Sequence, residues 1–197
     1  MAWLILVCMI VFPAIGGYYV VRGKVKSLDR LKDQVDEDMR KRLMSMDILG
    51  NIVDGPAFET LRGQMSLVAS KAPAVMVIDV AKFSAKTTLE GSLTVVRVED
   101  AKKVIATKNL RPIALDPAAA ERYQALATDE ALGRRCVSAD FVEKLRALET
   151  NVRARARFQM VNGSVTILAF RGLAKPDELR AFYNGAVGVL DALEATA

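Results

Sequence analysis

The run from Ala2 to Val21 in "MAWLILVCMIVFPAIGGYYVV" carries no charged side chain, and nothing else in the chain limits its fold as strongly. About 20 residues rising 1.5 Å each match a hydrocarbon core of about 30 Å. Trp3 stands at one end and Tyr18 and Tyr19 at the other, where aromatic rings favour the headgroup zone. A cleaved signal peptide would have a basic leader, a shorter apolar stretch and a small-residue cleavage site. Here no Lys or Arg precedes the run, so residues 1–22 are read as a transmembrane helix. Val7 before Cys8 is too bulky for a lipoprotein site. Pro13 is tolerable inside a bilayer helix. Arg22, Lys24, Lys26, Arg30 and Lys32 follow the run and no basic side chain precedes it. By the positive-inside rule the N-terminus lies outside and the remainder in the cytoplasm, as in a single-pass protein of the bacterial inner membrane.

Residues 23–55 read as an amphipathic stalk, helical over 24–49. Leu28, Leu31, Val35, Met39, Leu43 and Met46 recur at three and four residues. The stripe packs on its own domain or pairs stalks as a short coiled coil. Gly50 and "DGP" at 54–56 end it.

The remaining residues, 56–197, read as a cytoplasmic α+β domain, a mainly antiparallel sheet with packed helices. "VMVIDVAKF" (75–83) and "TTLEGSLTVVRVE" (87–99) have the β-branched content of strands, and short strands are expected within 111–127. "FETLRGQMSLVAS" fits a strand or a short helix. Ser138 is a fitting N-cap for a helix with Phe141, Val142, Leu145 and Leu148 on one face. Asn162-Gly163 predicts a two-residue hairpin that sets Met160 opposite Val165, Phe158 opposite Ile167 and Ala156 opposite Ala169. Pro176 predicts the first turn of a last helix, whose buried stripe is Leu179, Phe182, Ala186, Val189, Leu190 and Leu193. Ala181, Gly185, Gly188 and Ala192 form a second, small-residue stripe for close contact with the sheet or with a second copy of the chain.

The segment "ERYQALATDEALGRRCVSADFVEKLRALE" (121–149), with the hairpin and helix after it, resembles a bacterial domain family of unknown function. Tyr123, Asp129, Val137, Ser138, Phe141 and Leu145 carry the resemblance, which covers about residues 121–197. It implies a membrane-anchored α+β protein and transfers no catalytic residue.

The chain has no histidine, which removes the commonest general base and metal ligand. No phosphate-loop, dinucleotide-loop or nucleophile-elbow motif occurs, and no cofactor or metal is expected. The pairs Glu99–Asp100 and Asp129–Glu130 read as solvated turn residues rather than a catalytic dyad. Cys136 follows Arg134 and Arg135, cations that would lower a thiol pKa, yet no base accompanies it. The best binding candidates are Arg153, Arg155 and Arg157 in "VRARARF". On one strand face they would span about 13 Å, a row suited to phosphates. The plainer alternative lays their stems over Leu168 and Phe170. No stacking platform interleaves them, so nucleic acid is not expected.

These readings point to a non-enzymatic membrane protein whose domain serves interaction or assembly, as in an accessory subunit of a membrane complex, with the bilayer and a protein partner or a second copy as partners. The alternatives are a membrane-associated enzyme with a carboxylate–Arg site and an anionic-lipid-binding domain using the Arg row.

Overall fold

The computed structural model describes residues 33–34, 36–46, 50–53, 57–72, 75–104, 110–173 and 175–196. The candidate span 1–22, the first part of the stalk and "DGP" at 54–56 lie outside the described residues. Among the described residues no helix is long and apolar enough to cross a membrane.

Described stalk residues 36–44 are helical (α1). Met39, Leu43 and Met46 on its stripe are buried against the domain. Arg180 Nε donates to the Met46 carbonyl at 2.7 Å and ties the end of α1 to the last helix. On the outer side Lys41 pairs with Glu37 and Arg42 with Asp38, four residues apart. Such solvated pairs contribute only a few tenths of a kcal/mol each.

The strands are β1 (Gly50–Val53), β2 (Ala57–Thr60), β3 (Gly63–Ala72), β4 (Val75–Lys86), β5 (Ser92–Arg97), β6 (Arg111–Ile113), β7 (Tyr123–Ala127), β8 (Ala156–Val161) and β9 (Ser164–Ala169). They form one sheet in the order β1-β2-β3-β4-β9-β8-β5-β7-β6. Each described pairing is antiparallel. The helices after α1 are α2 (Val98–Val104), α3 (Pro117–Ala120), α4 (Glu130–Cys136), α5 (Ala139–Val152) and α6 (Pro176–Glu194). The ambiguous "FETLRGQMSLVAS" segment is two strands joined at Leu61-Arg62. The expected strand to Glu99 stops at Arg97, and Val98 begins α2. Glu99 and Asp100 lie in its first turn, where carboxylates favour helix formation.

The β8–β9 hairpin has the register that the Asn-Gly turn predicts: Met160 pairs with Val165, Phe158 with Ile167 and Ala156 with Ala169. Asn162 and Gly163 both take positive φ, 46° and 75°, as a type I′ turn requires. This hairpin inserts between β4 and β5 and so occupies the middle of the sheet.

One side of the sheet is sealed. Phe83, Leu93, Val95, Ala125, Phe158, Met160 and Ile167 are buried there beneath α5 and α6. Phe141 of α5 meets Phe158 edge-on at 4.9 Å, and Tyr183 of α6 meets Phe83 at 6.0 Å. Ser138 caps α5 by accepting a hydrogen bond from the Phe141 N–H. Ser138→Ala is expected to lower folding stability by about 1 kcal/mol, read as a shift in the urea midpoint at unchanged slope.

Candidate functional site

The three arginines do not form a row. Strand β8 begins at Ala156, and Arg153 is the C-cap of α5 in the left-handed region at φ 49°. The expected strand face is therefore corrected: the helix ends late and takes Arg153 with it. Arg155 precedes the strand and reaches back to α2, to Glu99 at 3.3 Å and Asp100 at 3.4 Å. Only Arg157 stands on β8 itself, with its guanidinium 5.0 Å from the Phe170 ring centre. Its Nε is buried without a hydrogen-bond partner. Thus Glu99 and Asp100, read as solvated, are held by Arg155.

Arg157 belongs to the side of the sheet opposite α5 and α6. Near β5 and β7 that side is closed: Thr94, Val96 and Leu126 are buried, and α2 packs beside these strands. Over β3, β4, β9 and β8 it is open. Val68, Val161 and Phe170 are 46%, 42% and 43% exposed there. Around them stand Ser66, Lys82, Ser84, Gln159, Thr166 and Leu168, all half-buried, with Lys86 exposed. Lys82 pairs in register with Leu168, which pairs with Arg157, so these three form one row across β4, β9 and β8. Lys86 Nζ donates to Ser164 Oγ at 3.0 Å. Lys82 and Lys86 escaped the sequence reading, although the alternation in "AKFSAK" marks them: Ala81, Phe83 and Ala85 face the core, so Lys82, Ser84 and Lys86 face away.

A second polar feature lies at the end of the sheet. The Glu149 carboxylate of α5 is fully buried. Arg97 grips both its oxygens, with Nε 3.0 Å from Oε1 and Nη2 3.0 Å from Oε2. Arg122 Nη2 and the Tyr123 hydroxyl donate to Oε2 at 2.9 Å and 2.8 Å. The Ala156 N–H donates to Oε1 at 2.9 Å. Burial alone would raise the Glu149 pKa. The Arg97 guanidinium, the Ala156 N–H, the Tyr123 hydroxyl and the Arg122 guanidinium together outweigh it and hold the carboxyl below its ordinary value. Burial, then the bond to Glu149, raises the Tyr123 phenol. The signal for Glu149 was its place beside Leu145, Leu148 and Val152 on the buried face of α5, an acid where only apolar residues fit. Its donors come from elsewhere in the chain, which no local pattern reveals.

Beside this cluster a half-open cleft of about 280 Å³ has Leu115 and Val142 among its walls and Asp116, Arg122, Glu143 and Arg146 around it. It is small for a ligand pocket. Two of its charged groups are engaged: Asp116 caps α3 through the Ala118 N–H, and Arg122 holds Glu149.

Asp129 accepts from the N–H groups of Ala131 and Leu132 as the cap of α4, and Glu130 pairs with Arg134 at 2.7 Å. Burial raises the Cys136 thiol, and Arg135 only partly opposes it. The thiol of the folded domain is therefore expected to resist maleimide and to react once urea unfolds the protein; rapid labelling without urea would contradict its burial. In the small-residue stripe, a Cβ on Gly185 would lie 2.6 Å from Leu148 Cδ1, so the close neighbour there is α5 rather than the sheet. Ala192 is buried, and Ala181 and Gly188 are half-buried. Among the described residues no group of three or more carboxylate or cysteine side chains is placed to hold a metal.

Fold and site define an α+β domain with a one-sided sheet, sealed by two helices on one side and presenting cations on the other. The chain matches no family model, no curated protein and no solved structure.

Proposed function

We propose that this protein works by binding rather than by catalysis. Its α+β domain is an interaction module, held at the cytoplasmic side of a bacterial inner membrane by a span over residues 1–22 and a helical stalk. The observation that supports this most is the open side of the sheet, where Val68 and Phe170 are exposed toward the end that carries Lys82 and Arg157, and Val161 toward the end that carries Lys86. Cations and exposed apolar side chains gathered on one open sheet face support an interaction surface. The uncharged run and the basic residues after it support the anchor and its orientation. An enzyme would draw on the cleft beside Glu149, but the engaged state of Asp116 and Arg122 favours a structural role for that corner.

Fusing reporters to the C-terminus tests the placement. Activity of a cytoplasmic reporter with silence of a periplasmic one is expected. The reverse pattern would overturn the orientation and with it the class of partner.

A further inference from the structure

We infer that the occupant of the open sheet face is an anionic phospholipid surface, met flat through Lys82, Lys86 and Arg157. This names the partner of the face described above and rests on that reading.

The geometry is that of a planar cation patch. Lys82 and Arg157 are two strand spacings apart, about 10 Å, and Lys86 lies about 13 Å along β4 from Lys82 on the same side. Between them stand Ser84, Gln159 and Thr166, neutral groups that donate to phosphate oxygens. Among the described residues neither Lys82 nor Arg157 has an ion pair. The carboxylates of Glu99 and Asp100 are paired with Arg155. On β2, Glu59 is two strands from Lys82.

Three features favour a bilayer over a macromolecule in solution. Protein interfaces are depleted in lysine, whereas lipid phosphates attract Lys and Arg alike. Phe170 is the one aromatic ring on the described part of this face, and the Arg157 guanidinium lies over one side of it, so bases would find no run of stacking platforms. Exposed Val161 and Phe170 are apolar groups that suit the headgroup–acyl boundary. A tether through residues 1–22 would hold the face within a few nanometres of headgroups and raise their effective concentration.

The test uses the full chain with Cys8→Ser, placed in nanodiscs of phosphatidylcholine alone or with one-quarter phosphatidylglycerol. A bimane dye on Ser84→Cys reports contact with a headgroup-nitroxide lipid. Strong quenching is expected in anionic discs and little in neutral ones. Each cation near an anionic surface contributes about fivefold, so Lys82→Ala with Arg157→Ala should lower the docked-to-free ratio about 25-fold. Raising salt to about 0.5 M tests the same attraction without a variant, because screening should release the face. Equal quenching in both lipids, or none, overturns the lipid assignment. Labelling of Ser84→Cys in inverted membrane vesicles from cells then separates the two failures. Where neither disc quenches, protection there means that a protein covers the face, which overturns the lipid assignment alone; full reactivity overturns the interaction reading as well.

Discussion

Glu149→Ala is expected to lower folding stability by about 3–5 kcal/mol, the usual effect of removing one partner from a buried ion pair. The variant would leave Arg97 and Arg122 facing each other across a cavity, with the Tyr123 hydroxyl and the Ala156 N–H unpaired. Those groups join β5, β7 and β8 to α5, so the helix that seals the core would lose its polar attachment. Glu149→Leu combined with Arg97→Met and Arg122→Met should recover the share of the loss that comes from uncompensated charge, while the Tyr123 hydroxyl and the Ala156 N–H stay unpaired. Urea midpoints of the full chain in micelles give both values; a loss below about 1 kcal/mol in the alanine variant would show that the cluster is solvated.

The same carboxylate sets a pH dependence. Its folded pKa is held below that of an unfolded glutamate, about 4.3. Its contribution is therefore complete above that value and is lost as pH falls through the depressed folded value. The stability gap between the wild type and Glu149→Gln should be constant near neutrality and narrow progressively under acid. A gap that widened as pH fell would reverse the sign of this coupling.

The second large effect is at Gly63, where β3 leaves the turn from β2. A Cβ there would lie 2.5 Å from the Ser84 carbonyl oxygen and 2.8 Å from Phe83 Cζ, at φ +154°. The obstacle is the backbone of β4 and the ring of a buried core residue, neither of which can rotate aside. Gly63→Ala is expected to destabilise by about 2–4 kcal/mol. Gly188 is the contrasting case: a Cβ there meets only Lys144 Cδ, at 3.9 Å. Gly188→Ala should stabilise α6 by up to about 1 kcal/mol. Destabilisation at Gly188 would mean that another surface, such as a second copy, presses on that stripe.

These residues also show what could be read from sequence. The β8–β9 register was legible because Asn162-Gly163 and a two-residue alternation fix it within 14 residues of chain. The N-cap of α5, Pro176 at the start of α6 and the buried stripes of both helices were legible for the same local reason. The place of the hairpin between β4 and β5 was not, because side-chain alternation does not say which strand lies alongside. Arg153 misled because α5 ends on an arginine in the left-handed conformation, where glycine is the usual signal. The Glu149 cluster stayed hidden because Arg97 is 52 residues from the acid it grips and Arg122 is 27. The open face was half-legible: alternation placed Arg157 away from the core, but its neighbours Lys82 and Lys86 lie on a strand about 75 residues earlier, joined to it only through β9.

The most direct measurement is a pair of photocrosslinking experiments in growing cells, with benzoylphenylalanine at Gln159 on the open sheet face or at Lys144 on the outer surface of α5. The expected result is abundant adducts, to lipid or to protein, from Gln159 and few from Lys144. Adducts from Lys144 alone, or none from Gln159, would contradict the open face as the working surface of this protein.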